Sequence, residues 1–293
     1  LKKRREEKLE NFKQLKVAKF KNIISQTFDP YLKIYIEQED AFMQQKLDGL
    51  MVEETWDSQD ISKSKVLASA ETLISTFKKS IKRCLSLSRN QAFMDLFKVF
   101  RKYIRKYLAI LYAKLNTIQQ DKQPKISDRR EQTLCMIVNT AHYLSNICNQ
   151  LVETFQNNIA ESFKPNIAME EEKQECNQLI WGGVKAMIQR VHTKVEPAFA
   201  AMTRLNWAAW ESVGDQSEYV TQLSTSIAQT VPIYHDWLSN AIHFTFFCDS
   251  FLSEFMQQFV QNILRCKLIS DIGAEQLLLD VTAIKSLLLE IPT

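Results

Sequence analysis

The stretch SKVLASAETLISTFKKSIKRCLS, residues 64–86, sets Val66, Leu67, Ala70, Leu73, Ile74, Phe77, Ile81 and Leu85 at intervals of three and four. An α-helix turns once per about 3.6 residues, so side chains at that interval share one face, whereas a half-buried strand alternates every second residue. Ser62 or Ser64 offers an N-cap oxygen just ahead of the run. This is a helix with a core-facing apolar stripe, and the rest of the chain repeats the pattern.

After the Ser88-Arg89-Asn90 break, Phe93, Leu96, Phe97, Phe100, Ile104, Leu108 and Leu111 line a second helix to about Ile118, closed by Gln123-Pro124-Lys125. Ser127 opens another helix to about Asn158, with Asp128 and Glu131 near the positive end of its dipole. Beyond Lys164-Pro165-Asn166 the longest continuous stretch runs from about Glu170 to Val213, with Pro197 as the expected kink. Gly182-Gly183 within it lacks the preceding strand and spacing of a phosphate loop and is read as a place of close helix packing. Helices at 216–231 and 233–267 follow; the second is apolar all round in its middle and is expected to be a buried central helix. The last, about 272–290, carries Ala274, Leu277, Leu278, Val281, Ile284, Leu287 and Leu288 as its stripe. Upstream, Asp29-Pro30 starts a helix to about Met51, and residues 1–26 read as a charged helix or linker continuing from a region that precedes this sequence.

The fold class is therefore all-α: about nine or ten helices in an elongated stack of bundles, a helical rod. A first bundle is expected over 27–168 and a second, packed continuously on it, over 169–293. Five glycines and six prolines in 293 residues leave little material for the many tight turns of a β or α/β fold. No fixed-period repeat points to a solenoid.

Net charge is +3, but residues 1–22 hold nine Lys or Arg against three Glu, so the remainder sums to about −3. A nucleic-acid binder with a uniformly basic surface is excluded. Six cysteines without a CxxC pair, lying in helical apolar patterns, point to a reducing, cytosolic setting. No apolar run reaches the 18 or so residues of a membrane span.

Residues with chemistry are sparse. His142, His192, His235 and His243 have no i, i+4 histidine partner and no HExxH context, so no metal or other cofactor is expected. Cys248-Asp249-Ser250 has a histidine five residues away, His243, but on a different side of the helix. Trp181, Trp207 and Trp210 are assigned to the long helix as core or interface anchors. The strongest polar constellation is Lys98, Arg101, Lys102, Arg105 and Lys106, at helical spacings opposite Phe97, Phe100 and Ile104. It is a candidate face for acidic lipid headgroups or an acidic partner helix, against the plainer reading of a solvated face whose lysine stems cover apolar surface.

At His243-Phe244-Thr245-Phe246-Phe247-Cys248-Asp249-Ser250-Phe251, at Gly273-Ala274-Glu275-Gln276-Leu277-Leu278-Leu279-Asp280, and through Ile284-Lys285 and Leu287-Leu288-Leu289-Glu290-Ile291-Pro292, the chain resembles the C-terminal region of the vacuolar protein sorting-associated protein 53 family. The resemblance is sharp over about the last fifty residues. It implies a non-enzymatic subunit of the Golgi-associated retrograde protein complex or its endosomal relative, tethers built of helical rods. Implied partners are the other subunits, small GTPases or vesicle fusion proteins, with acidic membranes as a peripheral contact and no nucleic acid. The implied location is the cytosolic face of the trans-Golgi network and endosomes. A peripheral membrane-binding module that uses the basic helix face is the alternative.

Overall fold

In the computed structural model, residues 31–56, 65–120 and 128–291 are described. They form eight α-helices: α1 (Leu32–Glu53), α2 (Ala68–Leu87), α3 (Gln91–Gln120), α4 (Asp128–Asn158), α5 (Glu170–Arg204), α6 (Glu218–Trp237), α7 (Ala241–Arg265) and α8 (Asp271–Leu289). A short 3-10 helix, Glu161–Asn166, lies between α4 and α5. Among the described residues there is no strand. The helix read over residues 1–26, and the caps read at Asp29, Ser62, Ser64 and Ser127, lie outside the described residues.

The chain divides into two compact units, and each takes part of α3, α4 and α5. One gathers the described residues of Leu1–Thr55 with Ala68–Ala109 and Leu144–Cys176; the other gathers those of Trp56–Leu67, Ile110–Tyr143 and Asn177–Thr293.

In the first unit the stripe of α2 meets α3 and the second half of α4 through aromatic rings. Phe77 stacks on Phe100 at 4.2 Å and 7°, Phe93 on Phe155 at 4.3 Å, and Phe100 meets the edge of Phe155 at 5.8 Å. All are fully buried, each contributing about 2–3 kcal/mol of transfer free energy. Ser69 and Tyr107 share a buried hydroxyl contact of 2.7 Å, which satisfies both groups where α2 crosses α3.

In the second unit α4 and α5 approach closely at Gly183. A Cβ there would lie 2.5 Å from Val138 Cγ2, so only glycine allows this separation. Pro197 sits inside α5, which continues to Arg204. The helix ends there and not near Val213, so Trp207 and Trp210 belong to the segment between α5 and α6. The indole of Trp207 is fully buried and its Nε1 donates to Met202 O at 3.1 Å, a carbonyl in the last turn of the helix that also accepts from Leu205 N.

Two further elements differ from the sequence reading. Pro232 lies within α6, and the break falls instead at Leu238–Asn240. Buried Val231 and Tyr234 hold the helix together around the proline, offsetting the missing hydrogen bond. Helix α7 is not buried all round: Phe244, Phe247, Cys248, Phe251, Phe255 and Phe259 face inward, while Ile242, Met256, Val260 and Leu264 are exposed.

Candidate interaction surfaces and their polar framework

The five cations of the basic face lie along α3 in the first unit, and each meets a group of its own chain. Lys98 pairs with Asp95 at 2.7 Å, one turn back on the same helix. Arg101 and Arg105 direct their Nε atoms to Glu172 Oε1 at 2.8 and 2.7 Å and their Nη2 atoms to Glu171. Lys102 reaches both oxygens of Asp40 on α1, at 2.8 and 2.7 Å, and Lys106 donates to Gln44 Oε1 while lying 5.1 Å above the Tyr103 ring. Tyr103 itself donates to Asp40 O at 2.7 Å.

The acids that hold the two arginines stand in the first turn of α5, where the helix dipole favours negative charge. Glu172 is fully buried, and Arg101 and Arg105 both meet its Oε1 in place of water. Burial opposes the charge on Arg105, but hydrogen bonds to Glu171 and Glu172 outweigh it and raise its pKa. The Glu171 carboxyl is held below its usual range by Arg105 first and Arg101 second. For Asp40, burial acts upward, yet the bonds from Lys102 and Tyr103 bring the pKa down. The arrangement clasps α3 to α1 and to the start of α5. Its only sequence signal is the acidic run Glu170-Glu171-Glu172, about seventy residues away.

The second unit holds a comparable node. Fully buried Glu131 on α4 accepts from Arg190 Nε at 2.9 Å, from Lys194 Nζ at 3.1 Å and from the Tyr234 hydroxyl, so one carboxylate joins α4, α5 and α6. Burial first, then Glu131, raises the Tyr234 pKa well above the ordinary tyrosine value. Two turns further along the same helix, Asn139 takes Ser239 N and Oγ on its Oδ1, each at 2.9 Å, and donates to Trp237 O at 2.8 Å. It thereby holds the α6–α7 connection.

Helix α8 turns an unexpected face inward. Gly273, Gln276, Asp280 and Ile284 are its buried residues, while Leu278 and Leu289 are exposed. Gln276 accepts from Gly214 N at 3.0 Å and donates to Asp215 O at 2.8 Å; Asp280 accepts from Ser217 N at 2.9 Å. A Cβ on Gly273 would lie 2.1 Å from Trp207 O, so the backbone of that segment rests directly on the helix. Three positions of the run Gly273–Asp280 thus bind the irregular stretch between α5 and α6. Residue types that looked free of chemistry are there to satisfy its backbone. Tyr219 lies beside Asp280, and burial first, then that charge, raises its pKa.

The remaining candidates are structural in setting. His142 and His243 are brought together, Nδ1 to Nε2 at 3.3 Å. Burial, then the neighbouring His142, lowers the His243 pKa. Among the described residues no group of three or more His, Cys, Asp or Glu could hold a metal ion. All six cysteines are free thiols, five of them buried. Burial, then Asp249, pushes the Cys248 thiol up to about 11, away from the thiolate a nucleophile needs. His192 and Glu254 approach to 3.2 Å, and His235 is exposed beside Asp236. Among the described residues no helix is long and apolar enough to cross a membrane.

Helices joined by buried polar nodes, with apolar side chains left on their outer faces, define an all-α scaffold of packed bundles. No family model matches the chain. It is 37% identical over 283 residues to vacuolar protein sorting-associated protein 53 A of Arabidopsis thaliana, covering 94% of this chain and 34% of that protein. To the vacuolar protein sorting-associated protein 53 homolog of Caenorhabditis elegans it is 28% identical over 171 residues, 58% of this chain and 21% of that one. The chain belongs to the vacuolar protein sorting-associated protein 53 family, as its C-terminal region, and spans about a third of the length of the first of these relatives.

Proposed function

We propose that this chain is part of a non-enzymatic subunit of a multisubunit vesicle-tethering complex, acting in retrograde transport from endosomes to the trans-Golgi network. The observation that carries the reading is the 37% identity to a vacuolar protein sorting protein across 94% of the chain. The side-chain chemistry supports it: the basic face, the Glu131 node and the Gln276–Asp280 stripe are all engaged within the fold. What remains at the surface is suited to recognition of other subunits, small GTPases or vesicle fusion proteins at the cytosolic face of these membranes.

The other reading, a lipid-binding face at Lys98, Arg101, Lys102, Arg105 and Lys106, draws less support. Four of these cations face carboxylates of the chain and the fifth an amide oxygen. Lipid contact would have to compete with those bonds, and the expected result is no salt-sensitive flotation with acidic liposomes.

The test is rescue of cells that lack the endogenous subunit, by the full-length protein with or without the region equivalent to this chain. The readout is return of a recycling receptor to the trans-Golgi network. Rescue requires the region; full rescue without it would refute the assignment.

A further inference from the structure

The outer side of α7 is a second apolar face. Ile242, Phe246, Asp249, Ser253, Met256, Val260 and Ile263 follow one another at intervals of four, three, four, three, four and three, with Leu264 beside the last. Alternating steps of four and three make the seam on which one helix packs along another, because 3.5 residues per turn keeps the row facing a partner. Ile242 is 73% exposed, Val260 49% and Leu264 80%. The row is separate from the inward phenylalanines that hold α7 in its unit. Trp181 on α5 widens it: the ring meets Phe246 edge to face at 4.2 Å and remains 57% exposed. Exposed tryptophan beside an apolar row is the composition of a binding anchor.

Charge selects the occupant. Asp249 sits in the middle of the seam, exposed and in no ion pair among the described residues, and is the one charged residue of the row. A bilayer surface is a poor match for a carboxylate at the centre of the contact. A second copy offers Asp249 no counter-charge, because the row from Ile242 to Leu264 carries no Lys or Arg.

We propose that the α7 seam, with Trp181, is a docking site for one amphipathic helix of a partner protein. That helix carries apolar residues at steps of three and four and a Lys or Arg facing Asp249. The proposal rests on reading the chain as a partner-binding subunit and names the class of partner at one surface.

The purified chain is titrated against two fluorescein-labelled synthetic peptides, one for each helix direction. Each has leucines on the seam spacing and one lysine, set off centre, to meet Asp249. Anisotropy should saturate with one of them. Val260→Glu and Leu264→Glu, both at exposed positions and checked by circular dichroism, should each weaken binding about tenfold or more. Asp249→Lys should weaken it likewise and transfer preference to a peptide with glutamate in place of the lysine. Failure of both peptides to saturate, or binding indifferent to Asp249→Lys, would overturn the proposal. So would sedimentation showing a dimer that Leu264→Glu dissociates, which assigns the seam to a second copy, or vesicle flotation that Leu264→Glu abolishes. Peptide failure alongside a positive rescue test refutes the seam alone and leaves the tethering assignment standing.

Discussion

Replacing Glu131 by glutamine removes a charge while keeping side-chain size, and the structure sets the consequence. The carboxylate is fully buried and faces Arg190 and Lys194, themselves only 14% and 9% exposed. Removing one partner of a buried ion pair typically costs about 3–5 kcal/mol, because the remaining charge stays out of water. Both cations keep a little solvent contact, and Lys194 retains Thr230 Oγ1 at 2.9 Å, so the lower end, about 3 kcal/mol, applies. For a body of this size that lowers the midpoint of thermal unfolding by roughly 6–12 °C. Urea and thermal unfolding followed by circular dichroism measure it. A triple replacement, Glu131→Leu with Arg190→Met and Lys194→Met, should recover most of the loss, since an apolar substitute leaves no buried charge behind. A loss below about 1 kcal/mol for Glu131→Gln, or a triple variant worse than the single one, would refute the argument.

Three further outcomes follow from individual contacts. Gly273→Ala places a Cβ 2.1 Å from Trp207 O and should destabilise by about 1–2 kcal/mol despite alanine's better helix propensity; tryptophan fluorescence and urea midpoints read it. Glu172→Gln leaves Arg101 and Arg105 facing a neutral amide and should cost about 1–2 kcal/mol, with Glu171→Gln nearly silent because that residue is exposed. Tyr35, Tyr103, Tyr107, Tyr219 and Tyr234 all have pKa values raised from 10.0, by burial first. Their stabilisation is fully present below pH 10 and is lost as pH rises toward the folded-state values. Spectrophotometric titration should therefore show these five ionising only as the chain unfolds.

The helical class was legible from the sequence because periodicity is local. A stripe such as Leu73, Ile74, Phe77 and Ile81 requires only that residues three and four apart share a face, and all four are buried as read. The basic face of α3 was legible for the same reason, as a set of positions. What each cation does was not, because Arg101 and Arg105 find their acids about seventy positions away and Lys102 finds Asp40 some sixty positions back. No spacing rule reaches that far.

The tertiary structure also overruled three readings that local pattern favoured. Leucines of α8 suggested its inner stripe, yet Gly273, Gln276 and Asp280 face inward, because the irregular segment beneath needs donors, acceptors and close backbone approach more than it needs bulk. Pro232 was placed at a boundary but lies inside α6, where packing of Val231 and Tyr234 outweighs one lost hydrogen bond. Continuous apolar character made α7 look enclosed, although one side is covered and the other is open. The sequence by itself determined that the chain is helical, and through the wording of its last fifty residues, which family it resembles. Only the packed structure decided which face each helix buries, since that depends on residues far apart in the chain competing for the same interior.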